Sequence, residues 1–129
     1  MTRSQIKRII LAALRQWRPI TDTDRWEINL LWQDSPQSAD GAIMGVVVQP
    51  QYESADFYVN IDLILAGKHT ARSLSYDVLH ELCHLHTAML ARLAEQRQSD
   101  DRVGDANELA TKKMASAVWR AYFREEPPA

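Results

Sequence analysis

The stretch from about Ser73 to Gln98 constrains this chain more than any other, because it holds neither Gly nor Pro and is dense in Leu, Ala, Glu and Arg. Nothing in its local chemistry stops a helix. At its centre stands His80-Glu81-Leu82-Cys83-His84, the pattern HExxH. At about 100° per residue, four residues bring a helix back to within about 40° of its starting direction, so both imidazoles leave one face, one turn apart, and can grip one metal ion. Glu81 flanks that position and can serve as a general base toward a metal-bound water without being a ligand. Val78, Leu82, Leu85 and Met89 project to the far side, as an amphipathic helix requires. The alternative is two helix histidines spaced by four with no shared role.

A catalytic zinc needs a third protein ligand and an open position. Position 90 is Leu and position 87 is Thr, so the longer, three-histidine form of the motif is absent. The best remaining ligand is Glu108, on a helix read over about Asp105 to Phe123 after a polar break at Ser99 to Gly104. On a helical wheel Ala110, Met114, Ala117, Val118 and Ala121 form the expected buried arc, with Glu108 at its margin beside Thr111, Ala115 and Tyr122. A carboxylate turned partly toward a core needs a partner, and a metal is a good one. Against this stands a capping box, Asp105-Ala106-Asn107-Glu108, with Glu108 at its third position. Asp105 and Asp101 are the other candidate ligands.

The rest of the chain reads as one domain over residues 1–129, with a tail at 125–129 expected to be disordered. Ile6, Ile9, Ile10, Ala13, Leu14 and Trp17 make one helical stripe, with Ser4 as the expected N-cap and Pro19 as the stop. Trp26, Ile28, Leu30 and Trp32 alternate with Glu27, Asn29 and Leu31 in a strand. Asp34 to Gly41 is turn chemistry. Ala42 to Gln49 and Asp56 to Asp62 read as two more strands, and their short connection favours an antiparallel hairpin. Residues 63–72 show no clear pattern. The order α-β-β-β-α-α reads as an α+β fold: an N-terminal helix, a small three-stranded sheet with the hairpin, the HExxH helix packed on the sheet, and a C-terminal helix carrying the third ligand.

A net charge of −2 argues against nucleic acid as a partner. Residues 1–21 nevertheless carry five basic and no acidic residues, read as a solvated helix face or a surface for an acidic partner. The single cysteine, Cys83, excludes an internal disulfide. With no apolar run of the ~18 residues a membrane span needs, a soluble, cytoplasmic protein without membrane contact is expected.

HExxH on one helix, followed by a Glu on the next, resembles the gluzincin group of zinc peptidases. The small size and the strands before the motif look like the minigluzincins, and like small metallopeptidase-like proteins of phages and prophages. The hairpin over Gly45 to Ala55 and on to residue 62 is similar to the one preceding the motif in those proteins. The resemblance covers roughly residues 26–123. It implies that His80, His84 and Glu108 bind zinc and that Glu81 is the base of a metalloendopeptidase acting on a peptide or protein substrate. Larger gluzincins often place an Asp four residues after the ligand Glu; here that position is Lys112. No following domain is expected to wall the cleft, which is expected to be shallow or completed by a second subunit in a homo-oligomer.

Tyr76, Tyr122 and Arg72 are the candidates for stabilising an oxyanion, and the sequence does not choose among them. His86, about 200° around the helix from His84, is read as packed among Leu79, Leu90 and Leu93; Cys83 as a buried thiol; and the four tryptophans as core aromatics. Besides the peptidase, two readings stand. One is a non-catalytic interaction or regulatory protein with a structural zinc on the same scaffold. The other is a hydrolase or regulator whose substrate is not a peptide.

Overall fold

A computed structural model describes residues 1–33, 41–95 and 100–128, without the side chains of Met89 and Asp100. The turn expected at Asp34 to Gly41 lies outside the described residues except for Gly41. So do residues 96–99, where the motif helix was expected to end.

Helix α1 spans Arg3–Ile20 and buries Ile6, Ile10, Ala13, Leu14 and Trp17, the stripe its periodicity predicts. Its N-cap is Thr2, not Ser4: Thr2 and Gln5 bond reciprocally, side chain to backbone, in a capping box. Pro19 sits inside the last turn, where its missing N–H removes one hydrogen bond without breaking the helix. The basic face is partly spent within the molecule. Arg3 pairs with Asp62, the Lys7 ammonium lies 5.4 Å from the centre of the Trp32 ring, and Arg18 donates 2.7 Å to the Trp26 carbonyl.

The sheet has three strands in the order β1-β3-β2, with β1 at Glu27–Gln33, β2 at Met44–Gln49 and β3 at Ser54–Asn60. β2 and β3 pair antiparallel with Val46 opposite Phe57, joined by a 3₁₀ turn at Pro50–Tyr52, so the expected hairpin is present. β1 joins the other side of β3 in parallel, Leu30 opposite Phe57. The central strand therefore carries the buried alternation Ala55, Phe57, Val59, and both β1 and β2 are edges.

The third strand ends earlier than its alternation predicts. Asn60 is fully buried, and its side-chain oxygen accepts from the Leu63 N–H at 3.1 Å, starting a short helix α2 at Ile61–Ala66. Ile61 and Asp62 are thus its first turn, and part of the unassigned stretch 63–72 is helical. Thr70 and Ser73 then exchange backbone-to-side-chain bonds of 2.9 and 3.0 Å, and α3 begins at Ala71.

Helix α3 spans Ala71–Glu95 and is the hub: α1, α4 and β2 all pack on it. Leu74, Val78, Leu79, Leu82, Cys83 and Leu85 are at most 1% exposed, so the motif helix is anchored by its apolar side. Helix α4 spans Asp100–Phe123, starting earlier than expected and running through Gly104. Its buried stripe also differs from the wheel. Val103, Thr111, Ala115 and Trp119 are buried, whereas Ala110, Met114, Ala117 and Ala121 are exposed and Val118 is half-buried. The apolar faces of α4 are weakly distinguished, and the large anchor, Trp119, orients the helix: it packs on Trp17, Tyr76 and Phe123. In the tail Glu125 pairs with Arg72, and Glu126 pairs with Arg120 at 2.8 Å.

Candidate metal centre

On α3 the His80 and His84 rings stand 4.8 Å apart between centroids, one above the other as the four-residue spacing requires. Ligand atoms of His80, Glu81 and His84 all lie within 4.8 Å of one another, a group that could hold a metal ion. The rotation of α4 onto its Thr111–Ala115–Trp119 stripe brings Glu108 over both rings. Its Oε1 lies 3.0 Å from Nε2 of His80, and its Oε2 lies 3.2 Å from Nε2 of His84. Because α4 starts at Asp100, residues 105–108 are interior to the helix, and the capping-box role for Glu108 does not occur. Asp101 and Asp105 are exposed and do not line the site.

The electrostatics favour neutral imidazoles. Burial pushes the His80 pKa below the usual imidazole range and outweighs the neighbouring Glu108 carboxylate, while the Lys112 ammonium pushes the same way as burial. His84 is lowered by burial and by His80, again against Glu108. Each unprotonated ring offers a lone pair for a metal.

The donor set suits a metal. Ligand atoms about 2 Å from a tetrahedral ion stand about 3.3 Å apart, close to the two separations between Glu108 and the imidazoles. Two neutral nitrogens and a carboxylate are a set that zinc accepts while keeping an open position.

These groups open on a cleft of about 620 Å³ whose opposite wall is β2, including Met44, Val46 and Val48. Tyr58 reaches the same cleft from the central strand. It pairs across the ladder with Gly45, and a Cβ on Gly45 would stand 2.3 Å from the phenolic oxygen. The tyrosine therefore crosses the edge strand where a side chain is missing.

The three residues expected near an oxyanion lie elsewhere. The Tyr76 hydroxyl bonds Ser116 at 2.9 Å, Tyr122 stacks edge-on against Trp17, and Arg72 lies over Trp119. His86 is not packed among leucines. It is exposed, bonds the Thr21 carbonyl and meets Trp26 edge-on, while Leu90 and Leu93 face solvent. The reason is the turn after α1, which docks where the leucines were expected. Cys83 is 1% exposed, and burial pushes its thiol up to about 11.

Two residues behind the site went unassigned in the sequence. The Thr111 hydroxyl lies 3.2 Å from Nδ1 of His84, and Thr87 lies 3.0 Å from Thr111. The only signal for them is a Thr three residues after His84 and another three after Glu108, a spacing too common to single out. Among the described residues no helix is long and apolar enough to cross a membrane. Compared with protein-family models, curated proteins and solved structures, the chain matches none.

Proposed function

We propose that this chain is a zinc-dependent peptidase of gluzincin type. One observation carries the reading: a single carboxylate, Glu108, faces the Nε2 atoms of two imidazoles held neutral by burial, inside a cleft that also contains Glu81. Either neutral tautomer is compatible with these contacts: Nε2–H donates to the carboxylate, or, with the proton on Nδ1, the Nε2 lone pair and the carboxylate face a position that a shared cation can fill. His80, His84 and Glu108 would hold zinc. When bound, the ion supplies Lewis acidity toward a carbonyl and acidifies water.

The remaining work falls to the chain's own groups. Glu81 takes the proton of the attacking water on its carboxylate and passes it to the leaving nitrogen. The edge of β2 beside the cleft, which pairs with no further strand among the described residues, offers backbone N–H and C=O groups that can pair with an extended peptide. Tyr58 can donate its phenolic proton to the carbonyl oxygen as negative charge develops there. The lone buried thiol fits a reducing, cytoplasmic setting.

Glu81→Gln tests the reading. The variant should bind zinc like the wild type and lose about 10²–10⁴-fold in peptide turnover, measured by mass spectrometry on a mixed peptide library. Equal turnover in both proteins would remove HExxH chemistry from the account. Zinc binding without turnover in either protein would favour the non-catalytic interaction protein.

A further inference from the structure

The contacts behind His84 form a directed chain of hydrogen bonds. Thr111 has one hydroxyl proton and three oxygen or nitrogen neighbours: the Asn107 carbonyl at 2.8 Å, Thr87 Oγ1 at 3.0 Å and His84 Nδ1 at 3.2 Å. The carbonyl can only accept, it is the nearest, and a helical threonine bonds readily to the carbonyl four residues back. With its proton on Asn107, Thr111 meets its other two neighbours as an acceptor. Thr87, whose alternative acceptor is the His84 carbonyl at a longer 3.3 Å, then donates to Thr111. His84 must likewise donate from Nδ1. Its Nε2 is left with a bare lone pair pointing at Glu108, 3.2 Å away.

We infer that Thr111, backed by Thr87, is a positioning residue that holds His84 in the Nδ1–H tautomer and so presents Nε2 to a metal. A ligand histidine commonly has its second nitrogen held by a carboxylate or a carbonyl. Here a buried hydroxyl takes that part: Thr111 is 0% exposed and Thr87 7%. The device acts on one ligand only, since His80 has no corresponding bond to its second nitrogen among the described residues. Thr111 also ties the metal-facing turn of α3 to α4 at the level of Glu108, so the tautomer and the carboxylate are set by one helix. The inference rests on the metal part of the proposed function and is independent of what the cleft hydrolyses.

The test uses Thr111→Val, which keeps shape and removes the hydroxyl, and Thr111→Ser, which restores it. Zinc affinity is measured by competition with a chromophoric chelator, and site geometry by the visible absorption of added cobalt(II). Folding is followed by circular dichroism and thermal melting. Thr111→Val should lose about 10–100-fold in zinc affinity while staying folded, and Thr111→Ser should recover most of it. Ring nitrogen-15 shifts of His84 in the metal-free protein at pH 7.5 should report Nδ1–H in the wild type and Thr111→Ser, and lose that preference in Thr111→Val. Wild-type affinity in Thr111→Val, or a dominant Nε2–H tautomer in the wild type, overturns the role of Thr111 alone. A wild type that takes up no zinc overturns the metal reading and this inference with it.

Discussion

The two ends of the α3–α4 pair use the same geometry for opposite purposes. At one end Tyr76 meets Ser116 and Trp119, and Trp119 stacks on Trp17 and Phe123. The Trp17 indole donates 2.9 Å to Ser75, and Trp17 and Trp119 are at most 1% exposed. At the other end, one and two turns along the same face of α3, His80 and His84 occupy the positions that continue from Tyr76, and Glu108 and Thr111 oppose them. Aromatic rings fill the space between helices; the Tyr76 hydroxyl and the Trp17 indole bond Ser116 and Ser75, while the buried Trp119 indole nitrogen has no partner among the described residues. Imidazoles and a carboxylate leave a cleft and bring two ring nitrogens within 3.0 and 3.2 Å of one carboxylate. A register of four on each helix thus builds a packed aromatic end and an open end whose side chains could hold a metal ion.

Trp119→Ala should cost about 3–5 kcal/mol and lower the melting temperature by more than about 10 °C, because it empties the most buried aromatic contact on α4. His80→Ala or His84→Ala should remove zinc binding almost entirely while leaving the melting point of the metal-free protein nearly unchanged, read by calorimetry and metal analysis. Equal melting losses for Trp119→Ala and His80→Ala would erase the distinction between the ends.

Asp77 tests where the border runs. It precedes His80 by one turn, and burial raises its carboxyl to about 6 from 3.8. A folded-state pKa above the unfolded one means that ionisation opposes folding: the cost is absent below about pH 4 and complete above about pH 6. With part of the group still open to solvent, the cost is discounted to about 1–2 kcal/mol. Asp77→Asn should therefore raise the urea midpoint at pH 7 and have no effect at pH 3.5.

The histidines act with the opposite sign. Their folded-state pKa values are lowered, so the metal-free protein should lose stability as pH falls below about 6.5. Replacing both with Gln should flatten that limb of the pH profile.

On the cleft side, Gly45→Ala should displace the Tyr58 ring, since the new Cβ would stand 2.3 Å from its oxygen. The expected result is altered peptide turnover with unchanged zinc content. The smallest effect belongs to Gly104, inside α4 with open space where a Cβ would stand. Gly104→Ala should stabilise by about 0.5–1 kcal/mol, read from the urea midpoint, and should not touch the metal end.

The sequence by itself determined the parts whose information is local. The stripe from Ile6 to Trp17, the Gly- and Pro-free motif helix and the convergence of His80 and His84 all follow from helical periodicity, which needs no partner to be read. The hairpin of β2 and β3 follows from a short connection. The alternation of the third strand predicts an end two residues beyond the observed one because Asn60 continues the alternation and caps the next helix at once, and only the Leu63 N–H reveals which role it has.

Tertiary structure decided everything that depends on which faces meet. Period two tells which residues share a face of β1 but not that its neighbour is β3, in parallel. The wheel of α4 has no dominant apolar face, so the packing of Trp119 against Trp17 and Tyr76 sets its rotation. That rotation turns Thr111 onto His84 and Glu108 onto both imidazoles. A single absent side chain at Gly45 lets Tyr58 into the cleft. Local periodicity aims a side chain to within a face of its own element; the partner it meets across a distance of 3 Å is settled by how the two elements are anchored several turns away.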